Sequence, residues 1–175
     1  TTPMGFYGVK EPTTDGTRNW DAVSSQQLFD SNKIAVTRGS CGEEKYAPDC
    51  VGIMQMDEGS NITKDWAWLT SNLDQASGWK HTFSNAGERV LSQATVVGGA
   101  VVFTSFAPEQ EICALGGTSR LWTLYYKTGT PYFWPSLRQP GGDFAAAIEL
   151  GRGPVANPAV YIGENHTLNA FTQST

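Results

Sequence analysis

The sequence predicts an all-β fold of one domain, and three observations carry that expectation. Glycine (19) and proline (9) make up about 16% of the 175 residues, against ~12% in ordinary chains, so turns should be frequent. Short runs rich in valine and aromatic residues recur between those turn residues, as strands do. Helical periodicity is confined to one short stretch, Ser24 to Phe29. A chain of this length matches the prior for a single compact domain. With 39% hydrophobic and 17% charged residues and a mean hydropathy of -0.31, it can bury a core beneath a charge-poor surface.

The elements follow in order. From Thr1 to about Asn32 the chain is polar and turn-rich, with Phe6, Tyr7 and Trp20 as aromatic anchors. Lys33 to Arg38 reads as a short strand stopped by Gly39, and Val51 to Met56 as another closing at Asp57-Glu58-Gly59. Trp66, Trp68 and Trp79 surround a Ser/Asn/Asp/Gln stretch, after which Gly78 to Phe83 alternates with Trp79, His81 and Phe83 on one face. That alternation makes His81 a strand residue rather than a catalytic base. Val90 to Val97 and Ala100 to Phe106 flank Gly98-Gly99, which supplies the positive φ values of a two-residue hairpin turn. Gly116-Gly117-Thr118-Ser119 then introduces an aromatic strand, Arg120 to Tyr126, that stops at Lys127-Thr128-Gly129. Ala159 to Ile162 and Thr167 to Phe171 repeat this plan after a shorter loop, and Arg89 and Arg152 precede the two units at similar distances. Degenerate strand repeats of this size predict β-propeller blades, of which 175 residues supply three or four.

Composition also excludes functions. A net charge of -5 without a cluster of positive residues argues against a nucleic-acid partner. The longest apolar stretch, Ala94 to Val102, falls short of the ~20 residues a membrane helix needs. The opening Thr1-Thr2-Pro3, with neither initiator Met nor signal-peptide core, is expected of a processed product or a fragment. Cys41 and Cys50 bracket a polar loop and are expected to form a disulfide, a habit of exported proteins, which leaves Cys113 unpaired or joined to another chain. Zinc is poorly supplied by three scattered cysteines and two histidines, His81 and His166. No Gly-x-Ser-x-Gly elbow and no phosphate-cradling glycine loop opens a helix. The acids Glu88, Glu149, Asp143 and Asp74 show no pairing expected of a glycosidase, and Glu88 beside Arg89 reads as a structural ion pair or loop hydrogen bond. A non-enzymatic protein is therefore expected.

A string of motifs adds a family resemblance. Phe6-Tyr7-Gly8-Val9, Gly87-Glu88-Arg89-Val90-Leu91, the strand from Gly99 to Pro108, and Cys113 with Gly116-Gly117-Thr118-Ser119-Arg120-Leu121 resemble the C-terminal propeller of the type IV pilus tip adhesin and assembly factor, the PilC/PilY family. The resemblance implies the final blades of that propeller, with an extracellular or outer-surface, pilus-associated location. It implies roles in pilus assembly, retraction control and attachment, with pilins, minor pilins or a chain completing the propeller as partners, beside a surface ligand of unknown kind. Calcium, bound by some members, has a counterpart only at Asp57, Asn61 and Asp65, where oxygens alternate but the closing Glu of an EF-hand is missing. Calcium is thus expected outside this chain if anywhere. The sequons at Asn61 and Asn165 carry no weight in a Thr-rich chain. Two alternatives are a quinoprotein-like dehydrogenase propeller fragment and a subunit of an extracellular filament. The incomplete propeller should leave open strand edges near Phe6-Tyr7 and along Thr167 to Phe171.

Overall fold

The structure is a computed structural model that describes residues 4–11, 13–14, 17–18, 22–38, 50–57, 59–109, 116–133, 144–163 and 168–173. Its strands are β1 (Gly5–Val9), β2 (Thr13–Thr14), β3 (Thr17–Arg18), β4 (Phe29–Asp30), β5 (Ile34–Arg38), β6 (Val51–Asp57) and β7 (Ser60–Lys64). The helix α1 (Trp66–Gln75) follows, then β8 (Gly78–Thr82), β9 (Arg89–Val90), β10 (Thr95–Val97), β11 (Ala100–Pro108), β12 (Gly117–Tyr125), β13 (Ala147–Arg152), β14 (Ala159–Ile162) and β15 (Leu168–Phe171).

The largest sheet grows from the predicted hairpin. Gly98 and Gly99 take φ of +56° and +89°, the left-handed values a primed two-residue turn requires. They set Val97 opposite Ala100 in the β10–β11 pair. β11 then pairs with β12 along its whole length and β12 with β13, giving the order β10-β11-β12-β13, while β9 lies against the far end of β11 at Ser105 and Phe106. The predicted strand from Val90 to Val97 is therefore two strands, broken at residues 91–94, where Leu91 turns outward. Nearly all of β11 is buried because both its faces are covered. Val101 and Phe103 join the main core with Trp122, Leu124, Trp79 and Phe83. Ala100 and Val102 meet Leu121, Tyr132 and the partly buried Val160 of β14 on the other side.

The other sheets are β1-β8-β4, β5-β6-β7, and the pairs β14-β15 and β2-β3. These are small separate meanders, antiparallel apart from the β4–β8 pair, and none is closed or curled into a propeller arrangement. The propeller, and with it the identification as final blades of the PilC/PilY propeller and the quinoprotein-like repeats, is thereby overturned. The reason lies in the supposed repeats. Ala100 to Thr104 runs through the middle of the five-stranded sheet and is buried throughout. Ala159 to Ile162 lies in a two-stranded ribbon with Tyr161 half exposed. Likewise β12 is paired on both sides and β15 on one only. Similar apolar spacing marks half-buried strands of any meander, whatever they assemble into.

Helix α1 occupies the stretch between tryptophans that the sequence left unassigned. Asp65 caps it by accepting a hydrogen bond from the Trp68 N–H at 2.7 Å. Leu69 and Leu73, one turn apart, bury its inner stripe, and Trp66 packs edge-on against Phe133. The short helix predicted around Ser24 to Phe29 is a single 3-10 turn at Ser25–Gln27.

Candidate functional site

Of the residues in the motif segments, Glu88, Ser105 and Arg120 meet in one largely buried polar network. Glu88 precedes β9, is fully buried, and through Oε1 accepts a hydrogen bond from the Ser105 hydroxyl of β11 at 2.5 Å. Ser105 in turn accepts the indole N–H of Trp122 on β12 at 2.7 Å. The second carboxylate oxygen of Glu88 has no hydrogen-bond partner and lies 3.5 Å from the Arg120 guanidinium, also on β12. The ion-pair partner is therefore Arg120 and not the adjacent Arg89, whose Nε donates to the Gly87 carbonyl. Ser119 is buried and donates to the Gly153 carbonyl, tying β12 to the end of β13. Gly117 stands where a Cβ would sit 2.3 Å from the Phe106 ring. Thr118 lies opposite Arg152, and Gly116 accepts the Glu109 N–H.

His81 is held beside this network. It is buried, with Ser31 Oγ 3.0 Å from Nδ1 and the Trp122 ring edge-on at 5.1 Å. Burial pushes its pKa down from 6.5 to about 4, against smaller upward pulls from the Gly129 backbone and the Asp30 carboxylate. A neutral ring in contact with a fully buried serine is a structural pair, without access for a substrate.

The calcium candidates do not come together. Asp57 ends β6 opposite Ser60, and Asn61 pairs with Met56 on the hairpin. Asp65 sits beyond the other end of β7 and is committed to capping α1. Four residues of extended chain separate Asn61 from Asp65 by about 13 Å, so the alternation of oxygens is that of a strand. Among the described residues no group of three or more His, Cys, Asp or Glu is placed to hold a metal. Cys50 is buried and disulfide-bonded. Cys41, Cys113, Trp20, Asp143 and His166 lie outside the described residues.

A cavity of about 350 Å³ opens where β1 ends and β8 begins. Gly8, Val9 and Lys10 form one wall, Thr70, Leu73 and Asp74 of α1 another, and Gly78, Trp79 and residues 126–128 the rest. The Trp79 indole lies buried beside it, fixed in place by its N–H to the Tyr126 carbonyl at 2.8 Å. The indole lies between two glycines: a Cβ on Gly8 would come within 2.3 Å of it, and one on Gly129 within 2.2 Å. Lys10 donates to the Leu73 carbonyl at the end of α1, and the Lys127 ammonium lies 5.7 Å from the Tyr126 ring centre. The cavity thus sets two lysines and one carboxylate beside apolar walls, the make-up of a binding pocket. Asp74 lines this cavity, whereas Glu149 lines a second, polar one of about 340 Å³ with Arg120. Among the described residues, Asp74 thus stands apart from Glu88 and Glu149, which both adjoin Arg120.

Sequence reasoning missed the cavity because its walls come from three distant segments. Comparison with protein-family models, curated proteins and solved structures finds no match to this chain.

Proposed function

We propose that the chain is a non-enzymatic, exported surface module of the type IV pilus machinery, one that acts by binding pilins or minor pilins. What supports this reading is the oxidising location that the disulfide at Cys50 implies, together with the meeting of four separate segments in one packed unit. The segment Gly87–Leu91 contains β9, the segment Gly99–Pro108 contains β11, and the segment Gly116–Leu121 opens β12, three neighbouring strands joined by the Glu88–Ser105–Trp122 chain. Phe6, from the first motif, stacks on Phe103 of the third at 4.2 Å. The disulfide at Cys50 agrees with an oxidising, extracellular location. No helix among the described residues is long and apolar enough to cross a membrane.

Immunogold labelling of intact cells of the source organism, with antibodies raised against the purified chain, tests this reading. Gold at pilus ends or on the outer surface beside pili is the expected result. Labelling only of the cell interior, in sectioned cells, contradicts it.

A further inference from the structure

We propose that the outer edge of β1, together with the cavity at its end, docks an extended segment of a partner protein. That segment adds as a strand, places one apolar side chain in the cavity beside Val9 and sets a neighbouring carboxylate against Lys127 and Lys10. The inference goes beyond the pilus assignment and does not depend on it.

The hydrogen-bond register supplies the first argument. The Phe83 N–H donates to the Met4 carbonyl at 2.8 Å, and the Lys10 N–H to the Ser77 carbonyl at 2.9 Å. In an antiparallel pair, residues alternate between facing the partner strand and facing away. With Phe6 opposite His81 and Gly8 opposite Trp79, Met4, Phe6, Gly8 and Lys10 therefore turn their backbone groups toward β8. Gly5, Tyr7 and Val9 turn theirs outward, and the order β1-β8-β4 leaves that side without a strand among the described residues. Native edges are usually blunted by charge, proline or a bulge. The sequence Gly5-Phe6-Tyr7-Gly8-Val9 has no charge and no proline, and its pairing with β8 runs without a register shift. Tyr7 and Val9 are 49% and 56% exposed.

The second argument is continuity. Val9 presents outward backbone groups and also lines the cavity, so a strand paired along β1 arrives at the cavity mouth. Strand addition draws affinity from the main chain and specificity from a pocket for a side chain. The third is charge: two ammonium groups face one carboxylate, Asp74, in a chain whose net charge is -5. The hydrogen bond of Lys10 to Leu73 uses one of its three protons. An apolar residue next to Asp or Glu, or next to a chain's own terminal carboxylate, complements that arrangement.

The test is a titration of the isotope-labelled chain, followed by amide NMR, with the peptide acetyl-Thr-Val-Thr-Phe-Asp-amide. Saturable shifts at the Gly5, Tyr7 and Val9 amides and at Lys127 are expected. They should vanish with the same peptide N-methylated at alternate amides, whichever set faces β1, and with the Val9→Pro chain. Lys127→Glu should weaken binding roughly fivefold. The methylated peptide leaves the protein unaltered, so the test stands even where Val9→Pro does not fold. No shift at these amides at millimolar peptide overturns the proposal, as do shifts that survive methylation of both alternate sets, each tested in its own peptide. Concentration-dependent shifts at the same amides without peptide overturn it too, because the occupant is then a second copy of this chain. None of these results bears on where the protein sits in the cell, which the gold labelling reads separately.

Discussion

Glu88 is a buried carboxylate with one oxygen held by Ser105 and the other facing only the Arg120 guanidinium. Removing a partner from such a pair leaves an uncompensated charge in the interior, which costs far more than the intact pair contributes. Arg120→Ala should therefore lower stability by on the order of 3 kcal/mol in urea unfolding. Arg89→Ala, which removes an exposed side chain that among the described residues bonds the Gly87 carbonyl, should change stability by less than about 0.5 kcal/mol. His81 gives a pH dependence of known sign. Its folded pKa of about 4 lies below the unfolded 6.5, so the neutral ring is the native form. Its stabilisation is complete above about pH 6.5 and is lost as pH falls toward 4, by up to about 3 kcal/mol. Replacement by Gln should flatten that part of the stability–pH curve, and an unchanged slope would contradict the assignment. The buried face of Trp79, His81 and Phe83 was legible because strand alternation is local. The partner of Glu88 was not, because the ladder from β9 through β11 to β12 brings Arg120 to it from 32 positions away, ahead of its neighbour Arg89.

The elements differ in how far their own residues determine them. The hairpin at Gly98-Gly99 was readable, since two consecutive positive φ values are cheap for glycine and costly for other residues. Helix α1 was not, because Trp, Thr, Ser and Asn give weak helix preference and its buried stripe rests on one Leu69–Leu73 pair. Thr70 and Asn72 bond back to carbonyls one turn earlier, at Trp66 and Trp68, which satisfies their polar groups within the helix. Such a helix leans on its cap and on tertiary packing. Asp65→Ala should then cost about 1 kcal/mol, and added calcium should leave the melting temperature of the wild-type chain unchanged. A calcium-dependent rise abolished by Asp65→Ala would instead restore the metal reading of Asp57, Asn61 and Asp65.

At the scale of the whole molecule, separate sheets share one aromatic core. Phe103 of the large sheet stacks on Phe6 of β1 and lies parallel to Trp122, with ring centres 4.2 and 6.0 Å away. Truncating it to Ala should destabilise the chain by about 3–5 kcal/mol and loosen β1 together with β11, seen as faster amide exchange in both. The all-β character was legible from turns and strand patterning. The propeller was not a valid extension of it, because local spacing encodes which face of a strand is buried and not how sheets are arranged around an axis. The open edges expected near Phe6-Tyr7 and along Thr167 to Phe171 fall on β1 and β15, both at sheet margins among the described residues. Native-state amide hydrogen exchange along β1 tests most directly whether small sheets with a free β1 edge, rather than a continuous assembly, make up this molecule. Alternation is the predicted result, with Phe6, Gly8 and Lys10 protected and Gly5, Tyr7 and Val9 exchanging fast, whereas uniform protection from Gly5 through Val9 would mean that a strand lies on both sides of β1 and would contradict the account.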